Sequence, residues 1–328
     1  MSADDYISRP HDLFTRQSLE RREIARDIIG HYLPPGLVRQ LKLETLTLVA
    51  GSFVDSELRA SQSDVLYDVQ FSDDRHGQIY ILFEHKSHAD SATAFQLLKY
   101  IVRIWERQQR QKESLTPIVP VVLYHGAASW TTARSIPEMV DAPDSLTPYI
   151  PDFTFELLDL TTYRDDQLSG ESLTRATLLL LKYIFDEDLR SRLAEILRSA
   201  AEQRGGHELT EILRSFLTYV AAAARRIEPP ELRLVARQSL GAEGEDVVSS
   251  ILEQWVAKGR EEGREEGRVN SLRGSIRDIL EVRFPDDVAG FEPRINQIES
   301  ADALQQLLRL CVAAASAAEV RQWLDSRS

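Results

Sequence analysis

Residues 78–86, QIYILFEHK, join an apolar run short enough for a buried β-strand to two charged residues at its end, Glu84 and Lys86. Ionisable groups are costly in an apolar layer unless they are paired or hold a metal. Such a strand either emerges into solvent there, with Glu84 and Lys86 as a surface ion pair, or delivers both charges to a site. Alternation gives residues i and i+2 of a strand the same facing, so Glu84 and Lys86 stand side by side while His85 turns away. Upstream, residues 64–71 (DVLYDVQF) alternate and are rich in β-branched and aromatic types. Ser72 to Gly77 reads as a turn. Together these runs predict a hairpin that carries Asp64, at the start of one strand, towards Glu84, near the end of the next.

The surrounding pattern places this hairpin in an α/β domain with a mixed central sheet. Ile24, Ile28, Ile29 and Leu33 recur at helical spacing until Pro34-Pro35-Gly36 stops them, which predicts a first helix over 19–33. Residues 44–50 read as a strand. From Thr93 to Lys112 helical spacing returns through Phe95, Leu98, Ile101, Val102 and Trp105, which predicts that these residues form the apolar stripe of a helix. Residues 117–124 read as another central strand, and 153–160 as one more. Beyond about residue 165 strand signals fade, and Ser172 to Ser199 and Leu209 to Arg226 read as amphipathic helices. The expected division is a sheet domain over 1–165, a helical region over 166–256, a repeat segment over 257–269 and a small helical unit over 270–328. The repeat, AKGREEGREEGR at 257–268, sets three glycines four residues apart. Each costs a helix about 1 kcal/mol relative to alanine, while Glu–Arg pairs at i,i+3 return a few tenths, so it reads as a marginal helix or a flexible linker. A flat glycine stripe also suits close helix contact, from which a homodimer that uses the region after residue 165 is expected.

The charge is uneven. The chain carries −13 overall, yet residues 1–130 hold 15 Lys and Arg against 17 Asp and Glu, a net of −2 that leaves −11 for the rest. The net charge argues against wholesale non-specific nucleic-acid binding, whereas a local basic surface in the first part is open. Lys99, Arg103, Arg107 and Arg110 form one stripe down the helix over 93–112; they either face solvent or contact phosphates. A single cysteine, Cys311, excludes an internal disulfide and a cysteine-based zinc cluster, and its apolar helical setting reads as structural. No run of about 18 uncharged apolar residues and no signal-like start occur, so a soluble, cytoplasmic protein with no membrane partner is expected.

Asp64, Glu84 and Lys86 suit one chemistry in particular. Two carboxylates satisfy a hard divalent cation that also keeps several waters, and such an ion activates water for phosphodiester hydrolysis. The Lys86 ammonium can orient that water or offset developing charge. Asp68 shares the facing of Asp64 but lies roughly 13 Å along the strand, too far to share one ion without a bulge. Gln96 and Tyr100, at i and i+4, either place an amide and a phenol beside Lys86 or simply pack at the helix–sheet boundary. His11, His31 and His125 have no metal-like spacing, and His125 reads best as a structural loop residue.

Asp64, then Glu84-x-Lys86, then Gln96-x-x-x-Tyr100 resembles the PD-(D/E)xK restriction-endonuclease-like core, and the last motif is similar to that of RecB-type nucleases. HDLFTR at 11–16, SDVLYDVQF at 63–71, ILFEHKSHAD at 81–90, LLKYIVRIWERQ at 97–108, PVVLYHG at 120–126 and the repeat at 259–268 resemble the Rpn family of recombination-promoting nucleases, the YhgA-like transposases. The resemblance covers residues 10–165 firmly and the helical remainder loosely. It implies a metal-dependent DNA endonuclease acting in recombination, transposition or handling of foreign DNA. Asp64 and Glu84 would bind Mg2+, or Mn2+ or Ca2+, Lys86 would assist the water, and Gln96 and Tyr100 would complete the site. DNA is the implied partner, and no small-molecule cofactor is. Two departures stand out: Ser63-Asp64 replaces the Pro-Asp of the superfamily's name, and Lys86 stands where many members of the family carry Gln.

Overall fold

The computed structural model describes residues 9–49, 65–84, 90–202, 205–224, 227–298 and 300–325. The chain forms two compact units, Met1–Ile251 and Leu252–Ser328.

The first unit opens with helices α1 (Pro10–Leu19) and α2 (Arg22–Tyr32) and a single turn, α3 (Pro35–Val38). The helix expected over 19–33 thus begins at Arg22, and a second helix precedes it. Proline at the first helical position suits the start of α1, and Leu13, Phe14 and Leu19 supply its buried face. A five-stranded mixed sheet follows in the order β1-β2-β3-β4-β5. Strands β1 (Leu41–Leu48), β2 (Val65–Phe71) and β3 (His76–Glu84) are antiparallel neighbours. The β2–β3 turn places Asp74 at a φ of 67°, a left-handed conformation that short polar side chains tolerate. Gly77 lies beneath the Phe71 ring, which leaves no room for a Cβ.

Strand β4 (Ile118–Tyr124) runs parallel to β3, and β5 (Glu156–Asp159) parallel to β4. Parallel neighbours need a long crossover, and helix α4 (Thr93–Arg110) supplies the one between β3 and β4. Both faces of the sheet are covered. On one, Leu66, Val122 and Tyr124 pack with Ala94, Leu97, Tyr100 and Ile104 of α4 and with Ile136 and Phe155 from the β4–β5 connection. On the other, Tyr67 donates from its hydroxyl to the Leu19 carbonyl at 2.6 Å.

Helices α5 (Ser172–Tyr183), α6 (Leu189–Ala201) and α7 (Gly206–Ala223) add a helical layer to the first unit. The amphipathic stretch expected over 172–199 is therefore two helices, separated at residues 184–188. Phe14 of α1 stacks on Tyr219 of α7 with centroids 4.2 Å apart. Asp27 of α2, almost fully buried, accepts hydrogen bonds from the Glu171 amide at 2.7 Å and the Thr174 hydroxyl at 3.0 Å. These contacts tie the helices after residue 165 to the chain's first helices.

Helix α8 (Pro229–Arg283) is interrupted at Gly241, whose φ of 69° and ψ of −151° are not helical and favour glycine. The glycine repeat lies within it with a helical backbone, and Arg268 pairs with Glu265 at 3.8 Å. In the second unit α9 (Val288–Gln297), α10 (Ala301–Ala313) and α11 (Ala317–Asp325) share a core with Ile276 and Leu280. The Arg283 guanidinium donates to the carbonyls of Cys311, Val312 and Ala314 at 2.6–2.7 Å, which satisfies acceptors left open at the end of α10. Cys311 is fully buried, and burial pushes its thiol up to about 11. Among the described residues no helix is long and apolar enough to cross a membrane.

Candidate active site

Of the three residues expected to carry the chemistry, Asp64 and Lys86 lie outside the described residues, as does His85. Asp64 directly precedes Val65, the first residue of β2. Glu84 is the last residue of β3 and registers with Tyr124, the last residue of β4. Parallel partners share a face of the sheet, and Tyr124 belongs to the cluster packed against α4. Position 84 therefore lies at the carboxyl end of the sheet on the α4 side. In open α/β sheets that end is where ligands collect.

The start of α4 is fixed locally at the same end. Asp90 accepts from the Ala92 amide at 2.9 Å through its side chain, and its carbonyl accepts from the Thr93 hydroxyl at 2.8 Å. One turn on, the Gln96 amide donates to the Tyr100 hydroxyl at 3.4 Å. Tyr100 is buried in the α4–sheet cluster and Gln96 is half-buried, so the pair sits at the helix–sheet boundary.

The helix presents a different apolar face from the one its spacing predicts. Phe95 is 53% exposed and Val102 42% exposed, while the buried stripe is Ala94, Leu97, Tyr100, Ile101, Ile104 and Gln108. Apolar residues cover more of the circumference of α4 than the sheet can bury, so the spacing alone leaves the face open. Of the basic stripe, Lys99 and Arg110 are exposed and Arg103 and Arg107 half-exposed. Arg103 pairs with Glu106 at 3.1 Å, a surface ion pair of small energetic weight.

Spacing also gave no notice of a polar chain within the α4 layer. Asp68 of β2 accepts from the Gln78 amide of β3 at 2.6 Å. Gln108 of α4, 4% exposed, lies with its amide nitrogen 3.5 Å from Gln78 Oε1, donates to the Thr116 hydroxyl at 2.8 Å and accepts from the Thr116 amide at 3.1 Å. Buried polar groups need such partners, and these link the strands and the helix that carry the candidate residues. Asp68 is therefore engaged in holding the layer together. The available signal was a carboxylate and two amides at core-facing positions of otherwise apolar elements.

His125 follows Tyr124 but belongs to the helical layer. It is buried, its Nδ1 lies 3.0 Å from the Leu181 carbonyl, and its ring lies 5.5 Å from that of Phe185 and 5.8 Å from that of His11. His11 in turn meets the Tyr219 hydroxyl at 2.8 Å. Among the described residues no group of three or more His, Cys, Asp or Glu is arranged to hold a metal. The carboxylate at position 84, with Asp64 one residue ahead of β2, is the donor chemistry that fits a hard divalent ion.

Residues 9–209 match the family described as "Putative transposase, YhgA-like". The chain belongs to this family. It is similar to the recombination-promoting nuclease RpnD of Escherichia coli O157:H7, 31% identical over 187 residues that make up 56% of this chain and 70% of that protein. It is also similar to two proteins of Escherichia coli K12: the recombination-promoting nuclease RpnC, 30% identical over 57% of this chain and 62% of the relative, and the inactive recombination-promoting nuclease-like protein RpnE, 34% identical over 56% and 61%. The chain thus spans about three fifths of the length of these last two. No solved structure matches it. The mixed sheet with α4 across one face is consistent with a PD-(D/E)xK-like core, followed by a mostly helical region.

Proposed function

We propose that this chain is a divalent-metal-dependent DNA endonuclease whose active site lies at the carboxyl end of β3, on the side of the sheet covered by α4. The observation that carries the reading is the register of Glu84 with Tyr124, beside the helix that bears Gln96 and Tyr100. Membership of a family whose relatives are named recombination-promoting nucleases supports it, and recombination or transposition of DNA is the process proposed for it. Asp64 and Glu84 would hold Mg2+, or Mn2+ or Ca2+. The ion supplies Lewis-acid polarisation of the phosphoryl oxygen and a water of lowered pKa. Lys86 orients the attacking water and offsets charge on the phosphoryl group. Gln96 and Tyr100 border the site as hydrogen-bonding groups, and Lys99, Arg103, Arg107 and Arg110 hold the DNA backbone.

A second reading has its own support, because a relative 34% identical is named inactive. In it the fold binds DNA or a partner without turnover. One assay separates the two: nicking of supercoiled plasmid with Mg2+, Mn2+ or Ca2+, with and without EDTA, by the wild type and by Asp64→Ala, Glu84→Ala and Lys86→Ala. The nuclease reading expects metal-dependent nicking that each substitution abolishes while thermal unfolding is unchanged. A folded Asp64→Ala protein that nicks at the wild-type rate sinks the assignment. A homodimer that uses the region after residue 165 completes the proposal, and sedimentation of the full chain as a monomer at micromolar concentration refutes that part alone.

A further inference from the structure

The exposed side of α4 combines two chemistries. Phe95 stands in the first turn, next to Gln96, with about half its surface in solvent; Lys99 lies one turn along and is exposed; Val102 and Arg103 continue the same side. Residues at i, i+4 and i+7 line one face of a helix. From residue 93 to 105 the helix carries no acid, and its first turn has none, although acids are otherwise favoured there by the helix dipole. In a chain of net charge −13 this is a local surface for an anion, and an anion with an apolar part. Phosphates account for the cations but not for the ring. Paired bases in a duplex hide their π-faces, whereas unpaired bases offer them, and an aromatic ring beside cations is the usual platform for single strands.

We propose that this side of α4 takes an unpaired stretch of DNA, with a base stacked on Phe95 and the flanking phosphates held by Lys99 and by Arg103, which exchanges its Glu106 partner for the phosphate. The inference rests on the nuclease reading and deepens it: the preferred substrate carries unpaired nucleotides next to the bond that is cut. Phe95 then sets substrate preference, and Lys99 adds affinity that salt weakens.

The test is fluorescence anisotropy of the full chain, in EDTA so that no cleavage occurs, with a labelled single-stranded oligonucleotide and with the duplex of the same sequence. The quantity read is the ratio of single-strand to duplex affinity. Phe95→Ala and Phe95→Leu are each expected to lower it by about tenfold, within the range of stacking on one base, and Phe95→Trp to preserve it. A ratio kept by Phe95→Leu means that the ring serves only as apolar bulk, and a ratio insensitive to all three substitutions means that α4 faces some other occupant; either result overturns the proposal. Because the ring is exposed, unchanged thermal unfolding of each variant is the control for folding. A wild type that nicks plasmid but shows no dependence on Phe95 removes this inference and leaves the nuclease reading standing. A wild type that binds neither oligonucleotide and cuts nothing removes both.

Discussion

On one side of the sheet, aromatic rings and a buried carboxylate close the layer: Tyr67 reaches the end of α1, Phe14 stacks on Tyr219, and Asp27 satisfies the entry to α5. On the other, α4 and the β4–β5 connection cover the strands, and one acid and three amides remain inside the layer at Asp68, Gln78, Gln96 and Gln108. The first side is built to stay shut. The second retains polar groups whose burial is costly unless something uses them, and position 84 belongs to it by register. The difference teaches where substitutions should be felt as stability and where as function.

The largest stability effect is expected on the closed side. Phe14→Ala removes a fully buried, stacked ring and should cost about 3–5 kcal/mol in urea unfolding; a loss under about 1 kcal/mol would mean that the α1–α7 layer contributes little. Asp27→Ala should follow at about 2–3 kcal/mol, because the Glu171 amide and the Thr174 hydroxyl lose their acceptor in a buried place. A variant as stable as the wild type would show that water replaces the carboxylate. On the α4 side Gln108→Leu should cost only about 1–2 kcal/mol. Its nicking rate should fall further than that loss of folded protein explains, since the link from α4 to β3 goes with it; equal losses would make the polar chain merely structural.

The smallest effect concerns pH. Burial pushes the Asp165 carboxyl up, but hydrogen bonds from Lys182 and Tyr183 and the charges of Lys182 and Arg192 together outweigh it and hold the group below its ordinary range. A carboxylate depressed in the folded state stabilises above its unfolded pKa, and that stability disappears as pH falls through the folded value. The stability gap between wild type and Asp165→Asn should therefore be full at neutral pH and narrow below about pH 4. A gap that is constant from neutral pH to about pH 3 contradicts the account.

The sheet was legible because its strands carry strong local signals: alternation in β2, an apolar run in β3 and β4, and a polar turn between β2 and β3. Helix α1 escaped notice because three apolar residues over one short segment make a weak period, and its burial comes from α7, some 200 residues away. The break between α5 and α6 was hidden for the opposite reason, since the apolar spacing continues across it. Phe95 and Val102 show a third limit: where a helix is apolar over more than half its circumference, the partner surface decides which residues are covered. The polar chain from Asp68 to Thr116 depends on registers that only pairing reveals. The family, by contrast, was readable in short stretches of sequence, because Asp64, Glu84-x-Lys86 and Gln96-x-x-x-Tyr100 keep their order and spacing whatever the packing around them.

Two of the acids on the α4 side of the sheet have different roles in this account. Glu84 ends β3 at the candidate site, whereas Asp68 serves Gln78. Plasmid nicking with Mg2+ by Glu84→Gln and Asp68→Asn, each confirmed folded, separates them directly. Loss of the Glu84 carboxylate should lower the rate by at least about a hundredfold, as expected when an ion-binding carboxylate is removed, while Asp68→Asn, which keeps an oxygen to accept from Gln78, should stay within about threefold of the wild type. Wild-type nicking by Glu84→Gln, or the larger loss in Asp68→Asn, would contradict the placement of the site.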